Sequence, residues 1–197
     1  MTYRLYNADT LNRYAKICHQ RAVDKRFWDE MHSVGHCLML AFGELHEGIE
    51  ADRIGKWAKL TPEQIEYLRN LEGEEFVKEF LHLVKDTVED ELADAVIRLL
   101  DLLGCLLRGV DLTQEEVGMT IGAYDNNTPP KRLTDAMLVI VSGSCYAIGT
   151  GKEFISVLSP IKSLEQLCDH LGIDLMSHIE LKMKYNETRP ALHGKKY

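Results

Sequence analysis

Carboxylates at helical spacing interrupt two of the most apolar stretches of the chain, and this narrows the folds open to it. The first stretch, Leu38-Met-Leu-Ala-Phe-Gly-Glu44-Leu-His-Glu47-Gly-Ile-Glu50, contains an ExxE. The second, Glu91-Leu-Ala-Asp94-Ala-Val-Ile-Arg98-Leu-Leu-Asp101, contains an ExxD with a further Asp beyond it. At about 100° per residue, positions 91, 94, 98 and 101 fall within roughly 80° of one another and form one stripe. Glu44 and Glu47 are likewise neighbours one turn apart. Leu38, Leu40 and Phe42 on one side, and Val96, Ile97, Leu99, Leu100, Leu102 and Leu103 on the other, require both helices to be largely buried. Acids on such a stripe lose solvation and repel each other, which raises their pKa values unless something compensates. A hard divalent cation does so by taking carboxylate oxygens from facing helices as ligands. The plainer alternative places these acids on the solvated edges of amphipathic helices, as most Glu and Asp are. A lone ExxE would favour that alternative; its pairing with an ExxD in a second apolar frame puts the two readings on an equal footing.

Elsewhere the pattern is also that of helices, with almost no strand signal. Helices are expected over about Asp9–Val23 and Asp29–Asp52. Thr61-Pro62-Glu63-Gln64 is a capping box that opens a short helix, closed by Gly73. Glu74–Arg108 follows as one long helix or two in register, with Gly109 as its stop, and Thr113-Gln-Glu-Glu116 is a further capping box. The loop over 122–130, with Asn126-Asn127 and Pro129-Pro130, is a possible internal boundary within a single domain spanning 1–197. Further helices are expected over about Thr134–Ile148, over Pro160–Leu171 ended by Gly172, and after a cap at Asp174. The fold class is an all-α helical bundle.

Composition narrows the function. Apolar residues are 45% and charged residues 27%, as in ordinary globular domains, and the formal charge of −8 argues against non-specific binding to nucleic acid or an anionic membrane. The most membrane-like stretch, Met137–Gly149, is too short and too polar to span, and the N-terminus lacks an apolar signal-like core. Five scattered cysteines without a CxxC pair point to buried thiols in a reducing compartment, and so to the cytoplasm. Charge is unevenly spread: residues 181–197 hold five cations and one anion, so the other 180 carry −12.

Leu38-Met-Leu-x-x-x-Glu-Leu-x-Glu-x-x-Glu-Ala-Asp-Arg53, Glu91-x-Ala-Asp-Ala-Val-Ile-Arg-x-x-Asp101 and the ending Lys182-Met-Lys-Tyr-Asn-Glu-Thr-Arg-Pro-Ala-Leu-His-Gly-Lys-Lys-Tyr197 together resemble the MazG-type, all-α nucleoside triphosphate pyrophosphohydrolases. The resemblance spans the chain in three blocks in the family's order. It implies hydrolysis of NTPs or dNTPs to monophosphate and pyrophosphate, with Mg²⁺ (Mn²⁺ as substitute) held by Glu44, Glu47, Glu91 and Asp94 and assisted by Asp101. It also implies a homodimer or higher homo-oligomer. Glu47, or Glu44, would accept the proton of the attacking water. In the basic tail, Lys184, Asn186, Arg189 and Lys195 are the expected phosphate contacts. The 43 residues between the two motifs exceed the family's usual spacer and hold the extra capped helix.

Two other readings remain open. Glu79-Phe-Leu-His82 is an ExxH of the kind found in di-iron carboxylate bundles, although no second ExxH occurs. A non-catalytic nucleotide-binding regulatory protein would keep the tail without turnover. Arg98 is expected to balance Asp94 or Asp101 within its own helix. Phe27 and Trp28 are expected as a staple into the core, with stacking on a base as the alternative.

Overall fold

Capping chemistry sets most of the helix boundaries. The computed structural model describes residues 4–119, 132–145, 148–149 and 153–194, and among these there are helices and no strand. Asn7 caps α1 (Ala8–Asp24), and Ser33 caps α2 (Val34–Arg53), each side chain accepting the backbone N–H three residues on. α2 thus begins five residues later than periodicity implies, because the Ser33 hydroxyl provides the cap and the preceding residues form a turn. Thr61 and Gln64 complete the capping box of α3 (Pro62–Asn70). Gly73, expected to close α3, instead opens α4 (Gly73–Leu83) with φ of +56°.

The long apolar run is two helices. The chain breaks at Lys85-Asp86, where Asp86 adopts φ of +60°, and Thr87 caps α5 (Val88–Leu107). Arg108 and Gly109, both with positive φ, then end α5. After the short α6 (Gln114–Met119) come α7 (Leu133–Ser144), α8 (Glu153–Leu171) and α9 (Leu175–Thr188, capped by Asp174), followed by a 3₁₀ turn over Ala191–Gly194. Pro160, expected to open a helix, lies two turns inside α8. It costs one backbone hydrogen bond there, while Val157, Leu158 and Ile161 around it are buried. The 122–130 boundary lies outside the described residues.

α5 is the axis of the bundle: α1, α2, α8 and α9 all pack on it, and twelve of its twenty residues are buried. α4 packs on α9 over a second small core of Leu68, Phe76, Phe80, Val84 and Leu181. The buried Glu89 of α5 accepts the N–H groups of Ala58 and Lys59 at 2.8 and 2.9 Å, which fastens the α2–α3 connection. On α8 the buried Glu165 accepts the N–H of Leu5 at 2.8 Å and, with an Arg4–Asp169 ion pair, holds the N-terminal segment. No described helix is long and apolar enough to cross a membrane.

The α1–α5 crossing depends on Gly104, where an added Cβ would lie 2.5 Å from the Ala15 carbonyl oxygen and 2.6 Å from His19 Cβ. Gly104→Ala is expected to lower stability by about 1–3 kcal/mol through overpacking, despite alanine's better helix propensity. A urea midpoint that rises in this variant would show the crossing to be looser.

Candidate metal centre

Helix packing brings the two acidic motifs together. Glu44 of α2 and Glu91 of α5 are buried, Asp94 is half-buried, and one carboxylate oxygen from each lies within 4.8 Å of the others. Gly48 faces Glu91 across the seam, where an added Cβ would stand 3.5 Å from Glu91 Cβ, in ordinary contact. A second group, Asp86, Asp90 and Glu91, satisfies the same distance and shares Glu91 with the first. Among the described residues these are the two groups of three or more potential ligands, and neither contains Glu79 or His82 of α4. The ExxH of the di-iron reading therefore stands apart from the acids.

Three cations are built into the cluster. Arg98 donates from Nε and Nη2 to Glu44 Oε1, both at 2.6 Å. Its hydrogen-bond partner is thus on the facing helix, across the α2–α5 seam, while its charge also favours the ionised Asp94 and Asp101 of its own helix, as expected. Lys182 of α9 is 1% exposed and donates to Asp90 Oδ2 at 2.8 Å, with Asp94 Oδ2 at 3.2 Å. Lys85 Nζ stands 3.6 Å from Glu91 Oε1, an oxygen that is buried without a hydrogen-bond partner, as is Asp90 Oδ1.

The titration behaviour follows from these positions. Burial, then the negative charge of Asp90, pushes the Glu91 carboxyl up to about 8 against the pull of Lys182 and Lys85. Burial and Asp94 raise Glu44, with Arg98 opposing. At Asp94 burial acts upward too, but Lys182 and Arg98 outweigh it and hold the acid below the usual carboxylate range. Burial would lower Lys182; Asp94 and Asp90 overcome it, so the ammonium stays charged. Arg98, Lys182 and Lys85 stand among the four central acids Glu44, Asp90, Glu91 and Asp94, which leaves the cluster one positive charge short, and Glu91 Oε1, without a hydrogen bond, is where the shortfall falls. A hard divalent cation fits this donor set and this deficit.

The other expected site residues divide. Glu47 is exposed on α2, one turn from Glu44 and outside the 4.8 Å group. Asp101 also lies outside it: its Oδ1 accepts from His19 Nδ1 and Trp28 Nε1, each at 2.8 Å, and burial raises its carboxyl while these two hydrogen bonds oppose the shift. Lys184 points away from the acids, donating to the Arg69 and Leu71 carbonyls and lying 4.5 Å from the Phe76 ring centre. Arg189 forms the C-cap of α9 and donates to the His193 carbonyl at 3.3 Å. Lys195 is outside the described residues. Lys182 and Asp90 are the functional side chains that motif spacing missed. The signal was present, because Lys182 and Asn186 are four residues apart on one face of α9, whereas Lys184 is turned about 200° from Lys182.

Beside the carboxylates a cavity of about 390 Å³ opens between α1, α2, α5 and α9. Asp94 and Arg98 border it, as do Asp101, Asn186, Phe27 and Trp28, and its size is that of a small-molecule site. Trp28 packs against the core, as expected of a staple, and edge-on against His19 at 5.2 Å it also forms cavity wall. His193 of the C-terminal turn packs edge-on against Phe27 at 5.1 Å, and the N–H of Leu192 bonds the Lys25 carbonyl, which fastens the tail over this end. The chain matches no family model, no curated protein and no solved structure.

Glu91, at about 8, and Glu165, pushed up to about 7 chiefly by burial, both lie above the ordinary glutamate value of about 4.3. At these two positions the folded chain binds more protons than the unfolded one across that interval, so the stabilisation from their protonated forms is complete below it and lost as pH rises through about 8, while His193 and His178, lowered by burial, act the other way only below about 6.5. In chelator the urea midpoint is expected to fall from pH 6.5 to pH 8.5. A midpoint rising over that range would contradict the protonated, metal-free state of Glu91.

Proposed function

We propose that this chain is a Mg²⁺-dependent nucleoside triphosphate pyrophosphohydrolase of the MazG type, acting in the cytoplasm as a homodimer or higher homo-oligomer. The observation that carries the reading is the convergence of Glu44, Glu91 and Asp94 from two facing helices beside a buried Lys182, with Asp94 also lining the cavity. An ExxE and an ExxD meeting across a helix pair give hard oxygen ligands, and the neighbouring ammonium and guanidinium give the counter-charge for phosphates.

Glu44, Glu91 and Asp94 would hold the metal. Once bound, Mg²⁺ (or Mn²⁺) would neutralise phosphate charge and lower the pKa of a bound water. Asp90 and Asp94 hold the buried Lys182 ammonium, which adds positive charge behind the ligand carboxylates. Arg98, tied to Glu44, supplies a second cation at the cavity border. Glu47, exposed one turn from Glu44, accepts the proton of the attacking water. Attack at the α-phosphorus forms a new oxygen–phosphorus bond and breaks the bond to the bridging oxygen of the β-phosphate, so the products are monophosphate and pyrophosphate. Asn186 and Arg189, on the Lys182 face of α9, flank the substrate at the tail end, and the aromatic cavity takes the nucleoside. Met39 and Ile54, exposed on and just beyond α2, leave apolar surface for a second copy near Glu47.

Product analysis over a panel of NTPs and dNTPs tests the reading. Monophosphate plus pyrophosphate is expected, abolished by chelation. Asp94→Asn and Glu91→Gln are each expected to lower turnover about a hundred-fold or more, since even outer-sphere groups of metal sites cost 10–100-fold, with the far-UV helical signal retained. Diphosphate plus orthophosphate would overturn the α-phosphorus step. Nucleotide binding without turnover of any member would favour the regulatory reading.

Mg²⁺ is also expected to raise the thermal midpoint more at pH 8 than at pH 6, because at the lower pH it must displace the Glu91 proton. An equal shift at both pH values would remove Glu91 from the ligand set.

A further inference from the structure

The cavity wall carries an acid that the phosphate chemistry does not use. Asp101 follows Asp94 by two turns of α5, about 10 Å along the axis, and lines the same cavity. Both of its protein donors, His19 Nδ1 and Trp28 Nε1, converge on Oδ1. An indole N–H only donates, so Oδ1 is an unprotonated acceptor. The Asp101 side chain keeps 21% exposure, which leaves Oδ2 as the oxygen open to the cavity. The lining includes the rings of Phe27 and Trp28 and the apolar Leu40 and Ile97, with His32 beside the indole and His36 stacked on His32. A slot of this kind suits a planar heteroaromatic ring that offers one N–H at its rim.

We propose that Asp101 determines base specificity, its Oδ2 accepting a hydrogen bond from the exocyclic amino group of a cytosine- or adenine-type base. The inference rests on the nucleotide reading of the site and goes beyond it by naming the substrate class. A base with a carbonyl in place of the amino group sets lone pairs against the carboxylate and leaves a desolvated acceptor unpaired. The ring N–H of uracil is no substitute, because it lies between two carbonyl oxygens that meet the same acceptor. With Oδ1 already filled, Asp101 also lacks the second oxygen needed for paired bonds to the adjacent ring and amino N–H groups of guanine. His19 and Trp28 act as positioning residues that fix which oxygen faces the ligand.

Binding of nucleosides to the full chain in chelator tests this without metal or turnover. Cytidine is expected to bind more tightly than uridine, and adenosine more tightly than inosine, each by about ten-fold or more, the worth of a charge-assisted hydrogen bond. Asp101→Asn, which can present an amide N–H instead, is expected to level or invert both ratios; should that variant not fold, the wild-type ratios decide alone. Equal binding, preference for the carbonyl-bearing partners, or no nucleoside binding would overturn the inference. Intact ratios in a protein that fails to hydrolyse triphosphates would leave it standing and remove only the pyrophosphohydrolase reading.

Discussion

The buried contact of Lys182 with Asp90 and Asp94 is the constraint on which the centre of this bundle depends. An ammonium at 1% exposure and a carboxylate at 0% would each cost several kcal/mol to desolvate alone. Together they are tolerated only in one geometry, so α9 can pack on α5 in one register. Breaking the pair from either side would strand a charge in the core. Asp90 is anchored further, since its Oδ2 also accepts the N–H of Asp86 at 3.0 Å and so closes the break between α4 and α5. The turn, the N-terminus of α5 and the face of α9 are thus fixed by one carboxylate.

Charge balance around that pair explains why the neighbouring acids differ. Arg98 serves Glu44, Lys182 serves Asp90 and Asp94, and Lys85 approaches Glu91 without bonding to it. Asp94, with two cations close by, is held ionised, whereas Glu91 is driven upward. One helix therefore carries, three residues apart, an acid ready to bind a cation and an acid that must first lose a proton. The difference comes from Lys182 on α9 and Lys85 in the α4–α5 turn acting together with Asp90 and Arg98 on α5 itself.

Dependence on partners from other elements also explains how much was legible in the sequence. Caps at Thr61 and Asp174 are local chemistry and placed α3 and α9 correctly. The acidic motifs were visible because carboxylates in apolar frames conflict with burial, a conflict that only packing resolves. Thr87 was missed as a cap because apolar periodicity runs through it on both sides. Lys184 was favoured over Lys182 because the tail was read as a basic run; on a helix the two residues face nearly opposite ways, and one reaches the carboxylates while the other caps α3. Asp101 continues the acidic stripe, yet its neighbours come from α1 and the α1–α2 turn, segments that no spacing rule connects to it.

α5 acts as a ruler across the site. Glu91 and Asp94 lie at one end, Arg98 a turn further on, and Asp101 beyond it, a total rise of about 15 Å. Each successive polar side chain meets a different neighbour: α9, then α2, then α1 and the turn after it. A ligand lying along this helix would meet hard anionic oxygens first, a guanidinium next, and a single acceptor in an aromatic slot last. A nucleotide presents its groups in the complementary order, phosphates, sugar, then base edge. Asp94, which belongs to the acidic cluster and also lines the cavity, is where the two ends of this helix meet.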